Sequence, residues 1–224
     1  ATPLGSMPAL LRQMAPVLSP DMLITDVGSA KLSVIEAARK AIPGGISAMV
    51  PGHPIAGTEK IGARNAFPEL FSGRTVILTP LPENSAAAVA SIKAMWETAG
   101  ANVQLLDPAH HDQVLAATSH LPHMLAYALV DCLARMDERE EIFRFAAGGF
   151  ADFTRIASSS PEMWHDVCAA NRDNLLAVMD RFEKHLREIR AAVEQEDAAE
   201  LLEIFCRAKA ARDRFTERRQ TPSQ

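Results

Sequence analysis

The chain has 224 residues, of which 48% are hydrophobic and 23% are charged, and its formal net charge at pH 7 is −5. This length and apolar content suffice to bury a core in one large domain or two small ones. The basic residues are scattered among acidic ones, which excludes the concentrated positive surface of a nucleic-acid-binding protein. We also expect no membrane span, because the sequence has no run of about 18 apolar residues.

Three cysteines lie far apart in the sequence, at Cys132, Cys168 and Cys206. They are too few and too widely spaced for a disulfide framework or a zinc site, which favours a reducing compartment. The sequence does not open with a charged and then apolar leader. We therefore expect a cytoplasmic protein, although a start further upstream would hide a leader.

Four short apolar segments bounded by Gly, Pro, Asp or Asn predict β-strands in the first half of the chain. They are residues 22–25, 47–50, 75–78 and 103–106. Helical patterns at residues 32–38 and 86–98 lie between them. This alternation predicts an α/β fold with an open sheet that ends at Asp107-Pro108.

Two long amphipathic helices are predicted near the end of the chain. Apolar residues recur at three- and four-residue steps, first at Leu175, Val178, Met179, Phe182, Leu186, Ile189 and Val193, and then at Leu201, Leu202, Phe205, Ala208, Ala211 and Phe215. Such apolar faces need a partner. They either pack within one chain or form the core of a homodimer.

Three short motifs predict a site that binds an anion and removes a proton. They are HPIAGTE at residues 53–59, SHLPH at 119–123, and FTRIA at 153–157 with Trp164. A histidine titrates near neutrality, so His53, in a predicted turn rich in Pro and Gly, is suited to polarise or deprotonate a hydroxyl. Arg155 offers a planar fork for a carboxylate. Taken alone, each motif is weak, since a histidine beside Pro and Gly is more often an ordinary loop residue.

A metal site is the alternative for the histidines. His120 and His123 are three residues apart, which places them on one face of a helix, and His110 and His111 lie upstream. Metal binding needs a third ligand at fixed spacing, and no H-E-x-x-H pattern is present. We therefore predict no metal.

The motifs resemble those of the prephenate dehydrogenase family, which includes the arogenate and cyclohexadienyl dehydrogenases. The resemblance covers nearly the whole chain, including residues 1–5, 25–31, 148–150 and 161–164 as well as the three motifs. It implies a Rossmann-like sheet domain followed by an all-α helical dimerisation domain, and it favours the homodimer. It also implies oxidative decarboxylation of prephenate to 4-hydroxyphenylpyruvate, with NAD or NADP as cofactor.

One feature of such enzymes is missing from the sequence. A G-x-G-x-x-G turn between a strand and a helix should bind the pyrophosphate, but Gly44-Gly45 and Gly148-Gly149 lack that setting. We therefore expect a partial dinucleotide-binding domain at residues 1–107, a helical substrate and dimerisation domain at 108–217, and a disordered tail at 218–224. The alternatives are an arogenate-preferring enzyme, and a catalytically silent dimerising fragment. The presence of His123 modestly favours prephenate over arogenate as the substrate.

The resemblance also implies residue roles. His53 is the base for the substrate hydroxyl. Ser29 touches the hydroxyl and the nicotinamide; its alternative role is to cap the helix that follows Lys31, and the two roles can coexist. Arg155 binds the substrate carboxylate, unless it pairs with Asp152 or Glu59, and a buried arginine would need an anion. Further residues implied near the substrate are Ser119, His120, His123, Thr58, Glu59, Gly148 and Trp164, and those near the cofactor are Thr2 and Pro3. Trp164 is otherwise a core residue.

Overall fold

The computed structural model describes residues 2–19, 21–57 and 62–220. Thr58 and Glu59, both predicted near the substrate, lie outside the described residues. The chain divides into two compact units, one that ends at Leu176 and one that begins at Ala177. Within the described ranges, no helix has an apolar stretch long enough to cross a bilayer. The predicted division at residue 107 into a sheet domain and a helical domain stays a prediction.

A mixed three-stranded sheet forms the centre of the first half. Its strands are β1 (Gly52–Pro54), β2 (Thr75–Leu78) and β3 (Asn102–Leu105). The middle strand β2 pairs antiparallel with β1 and parallel with β3. Its buried Val76 and Leu78 pack against Ile92 and Trp96 of helix α3 (Ala86–Thr98), which the sequence predicts with the same bounds. The strand at 75–78 is likewise confirmed, and the last predicted strand is shifted by one residue.

The first two predicted strands are wrong in extent. Residues 22–25 and 47–50 meet only at a parallel bridge between Ile24 and Met49. The chain before that bridge is a 3₁₀ helix, Pro43–Ala48, because proline followed by two glycines favours a turn over a strand. Conversely, His53 does not lie in a turn. It lies on β1 opposite Ile77.

Helices α1 (Met7–Met14) and α2 (Leu32–Ala41) pack against each other beside this bridge. They share a core made of Met7, Leu11, Ile24, Val34, Ala37, Ala38, Ile42 and Met49. The sequence predicts α2 over its first two turns. No side chain of the preceding residues caps it, so its first N–H groups need partners from elsewhere in the fold.

All described elements from Pro108 onward are helical. They include α4 (Pro108–Leu115), α5 (Leu121–Ala134), α6 (Arg139–Arg144), α7 (Gly148–Thr154), α8 (Pro161–Ala170), α9 (Arg172–Glu194) and α10 (Ala198–Gln220). The carboxylate of Asp107 accepts a hydrogen bond of 2.9 Å from the N–H of His110 and caps α4. The last strand thus ends at Leu105, and this cap starts the first of the following helices at Pro108.

A π-helical turn, Ala116–His120, joins α4 to α5. The N–H of Leu121 bonds to the carbonyl of Ala116, five residues earlier. Pro122 follows directly, and its ring lacks an N–H and crowds the carbonyl four residues before it, which accounts for the wider turn. Such turns inside helices are frequent at functional sites.

The second unit consists of α10 and the part of α9 from Ala177 onward. The carboxylate of Asp197 accepts a 3.0 Å hydrogen bond from the N–H of Glu200 and caps α10. Large apolar side chains on the two helices are exposed, namely Leu186, Val193, Leu202, Phe205 and Phe215. Residues 218–220 of the expected tail are helical, and 221–224 lie outside the described residues.

Candidate active site

A chain of three buried side chains begins at His53. Nδ1 of His53 lies 2.9 Å from Nε2 of His111, and Nδ1 of His111 lies 2.8 Å from Oδ1 of Asp112. The two rings meet edge to face, with their centroids 5.1 Å apart. His53 is 7% exposed, His111 0% and Asp112 1%, so water does not compete for these bonds. We call this chain the His53 relay.

Asp112 determines where the protons of the relay lie. Its two oxygens also accept hydrogen bonds from the backbone N–H groups of Lys31 (2.7 Å) and Leu32 (3.0 Å). With three donors pointing at it, Asp112 acts as an acceptor, so His111 donates its Nδ1–H and its Nε2 accepts from His53. With both rings neutral, the lone pair of His53 is therefore on Nε2.

The same two backbone bonds show how α2 begins. Asp112 supplies the missing cap, where a carboxylate is favoured by the positive end of the helix dipole. The alternative role of Ser29, as the cap of this helix, is therefore wrong. Ser29 is half-buried two residues before Lys31, on the loop that leads from the Ile24 bridge to α2.

A buried ion pair holds this loop against β1. Lys31 is fully buried, and its Nζ lies 2.5 Å from Oδ2 of Asp26 and 2.6 Å from the carbonyl oxygen of Gly52. Asp26 in turn accepts from the N–H groups of Gly28 (2.8 Å) and Gly52 (3.1 Å). A Cβ on Gly52 would lie 3.1 Å from the carbonyl oxygen of Asp26, which is a tighter contact than most Cβ atoms make, so glycine favours this close approach.

The charges around His53 keep it neutral. Burial lowers the pKa of His53 well below its ordinary value of 6.5, and the positive charge of Lys31 and the rings of His111 and His120 lower it further. Burial also lowers the pKa of Lys31, while the carboxylates of Asp26 and Asp112 oppose that shift. At neutral pH, His53 is thus an unprotonated base with a fixed orientation.

His120 has a fixed tautomer as well. The amide nitrogen of Asn171 lies 3.1 Å from Nδ1 of His120 and donates to the carbonyl of Asp112, while its amide oxygen accepts from Asn174. Nδ1 of His120 is therefore an acceptor and the proton is on Nε2, which has no hydrogen-bond partner among the described residues. Burial lowers the pKa of His120 to about 4, while the carboxylate of Asp112 and, to a smaller extent, the backbone of Ser29 oppose that shift.

Trp164 contacts both histidines of the SHLPH motif. Its ring stacks on His123 with centroids 3.7 Å apart, and it meets His120 edge to face at 6.0 Å. The prediction that these histidines share one face is confirmed. His123 donates its Nδ1–H to the carbonyl of Ser119 at 2.8 Å, so its Nε2 carries the lone pair while the ring is neutral. Burial lowers the pKa of His123.

Arg155 lies on the surface. It begins the 3₁₀ turn Arg155–Ser158, which packs against α5. Its side chain is exposed, so the cost of burying a guanidinium does not arise. The hydroxyl of Tyr127 donates to the carbonyl of Ser159 at 2.6 Å and ties the end of this turn to α5. Gly148, at the start of α7, is also exposed.

The two residues predicted near the cofactor, Thr2 and Pro3, are exposed at the start of the described chain. Thr2 and Thr25 line a cavity of about 120 Å³. The hydroxyl of Thr25 is buried without a hydrogen-bond partner among the described residues, which fits a polar group at this edge. Gly28 lies so close to Leu4 that a Cβ there would meet its side chain at 2.7 Å. The hydroxyl of Thr25 is therefore the observation at this edge that fits a polar group of a dinucleotide.

Five residues of this site are missed by the sequence analysis, namely Asp26, Lys31, His111, Asp112 and Asn171. One sequence feature points to two of them: His111 and Asp112 are adjacent in a helix that Asp107 caps, and both lie on the buried side of α4. No group of three or more His, Cys, Asp or Glu side chains in the described part of the chain could hold a metal ion.

Comparison with known proteins covers most of the chain. The family model described as "Prephenate dehydrogenase, nucleotide-binding domain" matches residues 1–105, and the one described as "Prephenate dehydrogenase, dimerization domain" matches residues 107–207. A cyclohexadienyl dehydrogenase of Zymomonas mobilis is 42% identical over 94% of this chain and 72% of its own length. A prephenate dehydrogenase of Bacillus subtilis is 40% identical over 95% of this chain and 58% of its own length.

Solved structures agree with these matches. The prephenate dehydrogenase of Aquifex aeolicus in complex with hydroxyphenyl propionate and NAD+ has a TM-score of 0.88 and 35% identity, over 96% of this chain and 74% of that one. The arogenate dehydrogenase of Synechocystis has a TM-score of 0.80 and 28% identity, over 96% of this chain and 77% of that one. The chain therefore spans between 58% and 77% of the lengths of these four relatives. It belongs to the prephenate dehydrogenase family.

Proposed function

We propose that the protein is an NAD(P)-dependent prephenate dehydrogenase, which converts prephenate to 4-hydroxyphenylpyruvate and carbon dioxide. The observation that carries the proposal is the His53 relay, which leaves a neutral imidazole with its lone pair on Nε2. His120, His123 and Trp164 add an aromatic cluster with an unpartnered N–H close to this base. The names of the relatives support the same reaction.

In this proposal the chain's own residues handle the proton. Nε2 of His53 accepts the proton of the ring hydroxyl as the carbon–oxygen bond gains carbonyl character. The positive charge that forms on the imidazole pair is stabilised by Asp112 at the far end of the relay. The bond to the ring carboxylate then breaks, and its electron pair completes the aromatic ring. When bound, NAD(P) supplies the acceptor for the hydride that leaves the ring carbon.

The remaining site residues orient the two ligands. Arg155 binds the side-chain carboxylate, because a guanidinium keeps its positive charge and its planar fork matches the two oxygens of a carboxylate. Thr58, Glu59, Ser119 and Gly148 line the substrate side, and Thr2, Pro3 and Ser29 face the cofactor. Residues 1–107 form the nucleotide-binding part and 108–217 the helical part.

One observation favours a second candidate, an arogenate-preferring dehydrogenase. A neutral His123 presents a lone pair on Nε2, because its Nδ1–H is donated to Ser119. A lone pair accepts a hydrogen bond from the ammonium of arogenate, whereas the keto group of prephenate needs a donor. Prephenate use then requires a protonated His123 or a different contact. The ratio of kcat/KM values for the two substrates, measured from pH 6 to 8, decides between the candidates.

The direct test uses the purified full-length protein. We expect reduced cofactor to form when prephenate and NAD+ or NADP+ are supplied together, and 4-hydroxyphenylpyruvate to accumulate in equal amount. The variant His53→Asn serves as the control for the site. A protein that binds neither cofactor and produces no 4-hydroxyphenylpyruvate would be a catalytically silent dimerising protein, contrary to the proposal.

We also propose that the protein is a homodimer. Helices α9 and α10 carry exposed apolar side chains, including Leu202 at 65% and Phe205 at 56% exposure. Exposing this apolar surface to water is unfavourable, so burying it in a dimer stabilises the protein. Light scattering after size-exclusion chromatography should give twice the monomer mass at micromolar concentration. Phe205→Glu should shift that mass toward the monomer, whereas Glu203→Gln, a polar change at exposed position 203, should not. A monomeric unmodified protein contradicts the proposal.

A further inference from the structure

Lys31 makes hydrogen bonds at both ends of the His53 relay. Its backbone N–H donates to Asp112, the last member of the His53 relay, at 2.7 Å. Its ammonium donates to the carbonyl of Gly52, the residue before His53, at 2.6 Å. We propose that Lys31 is a positioning residue, which fixes the base His53 relative to Asp112 by holding the two ends of the relay together. This inference rests on the proposed function, in which His53 is the base.

The two members of the ion pair, Lys31 and Asp26, both make hydrogen bonds to the backbone of Gly52. Lys31 donates to the carbonyl of Gly52 and Asp26 accepts from its N–H, so the two peptide groups on either side of Gly52, the residue before His53, have fixed planes. The backbone of Gly52 also pairs with Leu78 of the central strand β2. The start of β1 is thus held by charged groups as well as by the sheet. Such fixation matters because small displacements of a catalytic group reduce rates strongly.

A stability role alone does not account for this pair. Lys31 is 0% exposed, and removing an ammonium from water is costly even when it is paired. Apolar residues of similar volume commonly replace buried ion pairs without loss of stability. The Lys31–Asp26 pair orients His53 through its hydrogen bonds, a role that apolar residues could not fill.

The charge of Lys31 has a second consequence. The described groups that act on His53 are Lys31 on the preceding loop, His111 on α4 and His120 on the π-helical turn. The carboxylates of Asp26 and Asp112 pair with Lys31 and His111. Among them, Lys31 makes the largest contribution after burial itself to the lowered pKa of His53. Removing the ammonium should therefore raise the pKa of His53 and make the base easier to protonate.

The test replaces the pair by neutral groups of similar shape. In Asp26→Asn/Lys31→Gln, both amides keep donors and acceptors for Gly52, and no unpaired charge is buried. Lys31→Gln alone is the second variant. Lys40→Met is the matched control, because Lys40 lies on α2, the helix that Lys31 precedes, with its side chain 75% exposed. Unfolding midpoints of all variants are measured first.

We expect kcat to fall about tenfold in the double variant. In Lys31→Gln, which loses only the ammonium, the acidic limb of the kcat/KM profile should shift upward by about one pH unit, while Lys40→Met leaves kcat and the profile unchanged. Titration of the His53 ring by nitrogen NMR, assigned with His53→Asn, should show the same upward shift without any turnover. That readout keeps this inference testable even if the protein does not act on prephenate.

Three results would overturn the inference. An unchanged titration of His53 in a folded variant would show that Lys31 does not act on the base. Unchanged kcat would show that the contacts with Gly52 and Asp112 do not position it. Failure of both variants to fold would assign the ion pair to stability. Absence of turnover in the unmodified protein would instead contradict the proposed function.

Discussion

The two sides of the candidate site are built differently. On the imidazole side, His53, His111, Asp112 and His120 are buried, and their hydrogen bonds fix which nitrogen carries each proton. On the arginine side, Arg155 stands exposed on a short 3₁₀ turn. A proton acceptor needs a fixed tautomer and a lowered pKa, which only a buried network provides. A guanidinium stays charged in any environment, so it can bind a carboxylate at the surface. We therefore expect the first side to control kcat and the second to control KM.

The largest effect is expected for His53→Asn. The variant keeps a polar side chain on β1 but removes the base, so kcat should fall about 10²-fold or more with a smaller effect on substrate binding. Steady-state kinetics with prephenate and cofactor measure both parameters. His110→Asn, the same change on the exposed face of α4, should retain full activity. A raised KM with unchanged kcat would place His53 among the binding residues.

A smaller loss of kcat, about thirtyfold, is expected for Asp112→Asn. Asparagine offers His111 a donor as well as an acceptor, so the protons of the His53 relay no longer have one arrangement. Its oxygen still caps α2, which should keep the fold intact. The control is Asp107→Asn, the same change at the cap of α4. If the two variants have equal kcat, the relay does not influence the base.

On the exposed side, Arg155→Ala should raise KM for prephenate about tenfold or more and leave kcat within a few-fold. The guanidinium binds the side-chain carboxylate equally in the ground state and the transition state, so its loss weakens binding uniformly. Arg135→Ala removes an exposed arginine from the end of α5 and is the matched control. A fall in kcat with unchanged KM would remove the difference between the two sides.

The two sides also differ in what the sequence predicts. His53, His123, Trp164 and Arg155 are found because each belongs to a short motif. Asp112 and Lys31 are not found, because their contact joins residues far apart in the chain, and no local pattern records it. The helix bounds at 86–98 follow from local periodicity. The local sequence around His53 instead predicts a turn, because strand β1 depends on pairing with β2, which no local pattern records.

The smallest expected effect concerns stability. Folding lowers the pKa of His120 from 6.5 to about 4, so the unfolded chain binds more protons than the folded one between these values. The contribution of His120 is therefore fully present above pH 6.5 and is lost as the pH falls toward 4. His53 and His123, whose pKa values burial also lowers, act in the same direction. Between pH 7 and pH 5 the free energy of unfolding should decrease, and His120→Gln should remove on the order of 1 kcal/mol of that decrease.

Urea denaturation at pH 7, 6 and 5 measures this difference. The relevant quantity is the change in unfolding free energy with pH within each protein, because the substitution itself also alters the stability at pH 7. His110→Asn, at an exposed position on α4, should follow the unmodified protein at each pH. If His120→Gln loses as much stability on acidification as the unmodified protein, His120 is not held neutral by burial. The imidazole side would then be more accessible to water than its contacts indicate, and the contrast with the arginine side would weaken.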